Sequence, residues 1–109
     1  MSQITFEHEK KQYTLEYTLK TAAMAERDGL SIDKLGDNPA VQIPILFHWS
    51  FYRHHKGITK EMTAKIYKEI KDKKGLIRAL MDMYADAVNA LIDDTDDEEE
   101  MGNANWTLT

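Results

Sequence analysis

Residues 38–55 read Asn-Pro-Ala-Val-Gln-Ile-Pro-Ile-Leu-Phe-His-Trp-Ser-Phe-Tyr-Arg-His-His, and no other part of the chain is as apolar. Wound as a helix, Val41, Ile45, His48 and Tyr52 share one face. Ile43, Phe47, Ser50 and Phe51 make the next face, and Leu46 and Trp49 the third. A helix that is apolar nearly all round is expected to be buried on nearly all sides. The stretch therefore predicts a central pillar on which every other element packs. Asn38 suits an N-cap and Pro39 a first helical position. Pro44 has no N–H for the carbonyl of Ala40, so the helix must kink or begin there. Residues 45–54 form its secure part.

The flanking segments carry two other periods. Ile4, Phe6 and His8 alternate with polar neighbours, as do Tyr13, Leu15 and Tyr17. Period two with aromatic and β-branched residues predicts two half-buried strands. Glu9-Lys10-Lys11 joins them into an antiparallel hairpin, without the Asn-Gly or Asp-Gly turn signal. A lone hairpin is marginal in water, so its apolar face must lie on helices. Thr18 can cap a short helix over residues 19–28, with Leu19, Ala22, Ala23 and Glu26 on a narrow face and Gly29 as its stop. Leu30, Ile32 and Leu35 anchor a connection, and Gly36-Asp37-Asn38-Pro39 is turn chemistry. Gly57 ends the pillar and Thr59 caps a third helix striped by Met62, Ile66, Tyr67 and Ile70. After a break over 72–75, a fourth helix keeps a stripe from Leu76 through Leu80, Met81, Tyr84, Ala87 and Val88 to Leu91 and Ile92. Arg78, Asp82, Asp86 and Asn89 face outward.

The expected fold class is α+β: an N-terminal antiparallel β-hairpin packed on a compact four-helix domain with a central buried helix. Residues 1–92 form one globular domain and residues 93–109 a flexible acidic tail. Seven of the eight residues 93–100 are acidic, and the other 101 residues carry fourteen basic and twelve acidic side chains. The net charge of −5 (+2 − 7) thus belongs to the tail. The tail should repel itself and bury too little apolar area to order.

Chemistry is thinly represented. The chain has no cysteine, which excludes disulfides, thiolate metal sites and cysteine nucleophiles. No apolar run approaches a membrane span, and no signal peptide pattern opens the chain. A cytoplasmic protein is expected. His48, His54 and His55 lie six, seven and one residues apart, never at the spacing that brings two ligands together on a helix. His8-Glu9 has no following histidine at ligand distance. No metal or cofactor is expected, and no catalytic residue is assigned. No serine elbow or phosphate loop is present. Asp82 and Asp86 stand one helical turn apart, as solubilising groups on an outer face do.

Two surfaces remain. Residues 53–78 hold nine of the fourteen basic side chains. Lys60, Lys65, Lys68, Lys71, Lys73 and Lys74 are the candidate contacts of a nucleic-acid-binding accessory protein, the alternative function. The bland reading is a solvated lysine face, which the acidic tail can screen from within. The second surface is adherent: Met83, beside the core stripe and expected to be partly exposed, and Met101 and Trp106 in the tail are candidate protein-binding residues.

The order of these segments resembles a known family. Residues 11–21 (Lys-Gln-Tyr-Thr-Leu-Glu-Tyr-Thr-Leu-Lys-Thr) lead into a short helix ending at Gly29. Residues 43–56 (Ile-Pro-Ile-Leu-Phe-His-Trp-Ser-Phe-Tyr-Arg-His-His-Lys) and 79–91 (Ala-Leu-Met-Asp-Met-Tyr-Ala-Asp-Ala-Val-Asn-Ala-Leu) follow. An acidic end then closes in Gly-Asn-Ala-Asn-Trp. This looks like a small family of phages and prophages of Gram-positive bacteria, akin to the tail assembly chaperones of long-tailed phages. The resemblance implies a non-enzymatic protein of the host cytoplasm, absent from the mature virion. It would bind the tape measure protein and help tail tube subunits assemble around it. The major tail (tube) protein is a further candidate partner, a homo-oligomer stays open, and no membrane is involved.

Overall fold

Period two becomes a two-stranded antiparallel sheet in the computed structural model, which describes residues 3–92. β1 (Ile4–His8) pairs with β2 (Lys11–Leu15), Ile4 opposite Leu15 and His8 opposite Lys11. Lys11 is therefore a strand residue, and the turn is two residues long rather than three. Glu9 and Lys10 have φ of 51° and 66°. That is the hand a two-residue hairpin turn needs, reached here without the usual glycine. Each such residue costs roughly 1–2 kcal/mol in local strain. The other edge of β2 is capped by the end of the pillar. Thr14 donates its N–H to His55 Nε2 at 3.1 Å, and Glu16 donates its N–H to the Ser50 carbonyl at 2.9 Å.

α1 (Leu19–Arg27) starts at a reciprocal cap between Thr18 and Thr21 and stops before Gly29, whose φ of 112° favours glycine. Its buried face is Thr21, Ala22 and Ala25, and Leu19 is exposed. The helix begins at the expected cap, but its buried face is turned by about one residue from the expected Leu19, Ala22, Ala23 and Glu26. A single 3-10 turn, Ile32–Lys34, leads to α2.

α2 (Pro39–Ser50) begins at Pro39 and continues unbroken through Pro44. It ends four residues before the expected limit at residue 54; the following residues form turns. α1, the 3-10 turn, α3 (Lys60–Lys68) and α4 (Lys73–Asn89) all pack against it. An aromatic relay crosses the core. Phe6 stacks on Tyr13 at 5.5 Å, Tyr13 meets Phe51 edge-on at 5.6 Å, Phe51 meets Phe47 at 4.9 Å, and Phe47 meets Tyr67 at 5.3 Å. These contacts join the hairpin, through α2, to α3, each adding about 0.5–1.5 kcal/mol beyond area burial. Buried Tyr17 donates its hydroxyl to the Leu46 carbonyl at 2.6 Å.

Two stripe assignments change. On α3, Thr63 and Ile66 are buried while Met62 is 48% exposed. Thr63 can replace a hydrophobic residue because its hydroxyl is fully partnered, as described below. On α4, Asp72 caps the helix from a left-handed conformation (φ 56°), its side chain accepting from the Gly75 N–H. A Cβ at Gly75 would lie 2.3 Å from that carboxylate, so a residue read as part of a break belongs to the helix start. Leu91 and Ile92 lie past the helix end and are exposed.

Candidate docking groove

α2 meets α3 along only part of its length, and an apolar groove of about 410 Å³ opens between them. Ile43, Pro44 and Phe47 form one wall and Ala64 and Tyr67 the other. The groove exists because α3 presents a methyl group at Ala64 where a larger side chain would fill the gap. Pro44 adds a second feature. It cannot donate to the carbonyl of Ala40, which also lines the groove. Lys60 and Lys68 stand at the rim. A volume of this size falls in the range of sites that bury a small ligand or one large side chain.

Polar contacts fix the α3 wall. Asp28, at the end of α1, accepts from the Trp49 indole at 2.9 Å and from Lys60 Nζ at 2.7 Å. The hydrogen bond from Lys60 holds the Asp28 carboxyl below the usual carboxylate range, against an opposing effect of burial. Thr63 donates its hydroxyl to the Lys60 carbonyl at 3.1 Å. Its oxygen therefore accepts from His48 Nδ1, also at 3.1 Å, which places the His48 proton on Nδ1. Burial, with nearby Lys60, holds the His48 pKa down and keeps the ring neutral. Three helices thus meet at the N-terminal end of α3, and the groove is largely pre-formed.

The residues singled out from the sequence fall in different places. Met83 is not partly exposed: at 4% it is part of the core, on the face that α4 turns towards α1 and α2. Met101 and Trp106 lie outside the described residues. The six lysines do not make one face. Lys60 is paired with Asp28. Lys73 donates to the Ile70 carbonyl at 2.7 Å and lies 5.4 Å from the Tyr67 ring centre. Lys65 and Lys68 are exposed on α3, Lys71 lies in the bend and Lys74 on the first turn of α4.

The histidines are structural in distinct ways. His55 accepts from Thr14, so its Nε2 carries no proton, and burial lowers its pKa. His55 therefore brings no positive charge to the end of α2. His54 Nε2 meets Glu16 Oε1 at 2.8 Å, and this bond holds the Glu16 carboxyl below its ordinary value. His48 and His55 do not converge. The fold instead brings Glu69 to His8, with Nε2 to Oε1 of 2.8 Å, and Glu9 beside them, the three donors within 4.8 Å. A spacing rule for one helix misses this group because its members are 61 residues apart. Asp82 and Asp86 are exposed on α4. A second cavity of about 400 Å³ lies between Tyr17, Leu19, Met83, Asp86 and Ala87. Among the described residues no helix is long and apolar enough to cross a membrane.

The groove was not read from the sequence. Its one signal is a proline inside an apolar helix, followed by a helix with two adjacent small residues, buried Thr63 and exposed Ala64. The whole chain, residues 1–109, matches a family described as a domain of unknown function (DUF5055), and the chain belongs to that family. Neither the curated proteins nor the solved structures contain a match.

Proposed function

We propose that this member of the DUF5055 family is a non-enzymatic protein-binding module, and specifically a phage tail assembly chaperone. Its α2–α3 groove takes an apolar segment of the tape measure protein. The observation that carries the reading is the groove itself: pre-formed, apolar on both walls and bounded by lysines. An apolar ridge of a helical cargo can enter such a slot at i, i+3 and i+4 positions. The chain-wide resemblance to phage tail assembly chaperones supplies the identity of the cargo. On this reading the protein works in the host cytoplasm, keeps its cargo dispersed while tube subunits gather, and leaves before the virion is complete.

The test is co-expression with the tape measure protein of the same gene cluster. The tape measure protein should stay in the soluble fraction with the intact chain. It should precipitate with the Ala64→Arg variant, whose side chain fills the groove from an exposed position. Equal precipitation with and without the intact chain sinks the proposal.

A further inference from the structure

We infer that the α2–α3 groove has an occupant within the same chain: residues 101–108, with Trp106 as the anchor and residues 93–100 laid along the lysines of α3. The inference rests on the groove being a docking surface, and it makes the tail a competitor that any cargo must displace.

Three observations choose this occupant. The first is charge. Residues 93–100 hold seven carboxylates, and the segment that follows them carries Met101, Trp106 and Leu108. The groove has the matching order, an apolar floor beside exposed Lys68, with Lys65 about one turn earlier on the same helix and Lys60, paired with Asp28, at the helix start. The second cavity is of similar volume, but its charged lining residue is Asp86, which repels an acidic segment. Charge therefore separates two cavities that volume does not.

The second observation is a polar group. A buried indole needs an acceptor for its N–H. Ala40 lines the groove, and its carbonyl lacks the helical donor that residue 44 would supply were it not proline. The groove thus pairs an apolar slot with a lining residue whose carbonyl receives no bond from residue 44, and an indole N–H can supply one.

The third is reach. Trp106 lies 14 residues beyond Ile92. Fourteen residues extend up to about 50 Å. The molecule measures 54 × 31 × 25 Å along its principal axes. The tether exceeds the two shorter dimensions and nearly equals the longest one. A tether of this length sets an effective concentration of about 1 mM. An intrinsic dissociation constant near 0.1 mM then leaves the groove about 90% closed, and cargo affinity falls roughly tenfold.

The experiment uses the full chain labelled with 5-fluorotryptophan. Its two tryptophans give two fluorine resonances, assigned with Trp106→Phe. The Trp106 resonance should lie away from its position in urea and return towards the urea position as salt is raised. Ala64→Arg should release it while the Trp49 resonance stays in place. Lys68→Glu, an exposed rim change, should release it in part and guards against a folding defect in the first variant. Trp106→Ala should tighten tape measure binding up to tenfold. A Trp106 resonance at the urea position in the intact chain, unmoved by either variant, overturns the inference. So does protection that disappears on dilution together with a dimer, which makes the occupant the tail of a second copy. If Trp106 is free yet Ala64→Arg abolishes cargo binding, the inference fails and the groove reading stands. If Ala64→Arg leaves cargo binding intact, the groove reading itself fails.

Discussion

The two halves of α2 are written in the same apolar alphabet and meet opposite fates. In the second half Leu46, Phe47, Ser50 and the following Phe51 are sealed off from solvent. In the first half Val41 is 57% exposed and Pro44 is exposed, while the buried residue is a polar one, Gln42. Gln42 earns that place by hydrogen bonding. Its side chain accepts from the Ser31 N–H at 2.6 Å and donates to the Gly29 carbonyl at 3.1 Å, latching the loop after α1. The second half has the hairpin, α3 and α4 around it. The first half has a loop on one side and an open groove on the other. Residue hydrophobicity states what can be buried at a gain; neighbours decide what is buried.

The contrast can be broken by substitution. Phe51→Ala removes a ring that contacts Phe6, Tyr13 and Phe47. It should cost about 3–5 kcal/mol in urea unfolding, enough to leave the chain marginal. A cost below 1 kcal/mol means the aromatic relay is not the centre of the core. Gln42→Ala leaves the Ser31 N–H without its acceptor and should cost about 1–3 kcal/mol. Amide exchange at Ser31 should accelerate more than at Leu46, which locates the loss in the first half.

Acid is a gentler probe, and it acts on the second half. Burial lowers the folded pKa values of His48 and His55 below the ordinary 6.5. The unfolded chain therefore takes up these protons first. Stability is fully present above pH 6.5, falls as pH drops through the folded values, and loses nothing further from these groups below them. Glu16 and Asp28 titrate below their ordinary 4.5 and 3.8, so their contribution is lost in a separate, more acidic window. Unfolding free energy measured from pH 8 to 5 should decline, with the His55 ring resonance moving alongside. A flat profile contradicts the bond from Thr14 to His55. Val41→Ser should change stability least, by less than about 0.5 kcal/mol, since its side chain already faces water. A cost above 2 kcal/mol would show that the first half is covered after all.

Much of the architecture could be read from local signals. Alternation marked both strands, Thr18 and Thr59 marked helix starts, and Gly29 marked a stop. Each depends on neighbours a few residues away. The errors share a different origin. Met83 and Met62 exchanged fates because a stripe two residues wide cannot say which of its borders faces the core. Asp72 and Gly75 looked like a break because the left-handed cap that joins them is visible only in space. The groove was invisible because it is made of what Ala64 does not fill.

The chain by itself thus determined a hairpin, four helices and an apolar pillar, since hydrogen-bonding period, capping and side-chain polarity are properties of short segments. Tertiary structure alone decided that the second half of the pillar is enclosed while the first half, with Phe47 at its base, opens on a slot, and that His55 serves a strand 41 residues away. The reason is geometric. Burial, pKa and the shape of a cavity are set by whichever surfaces arrive from distant parts of the chain, and no segment records the area its neighbours will cover.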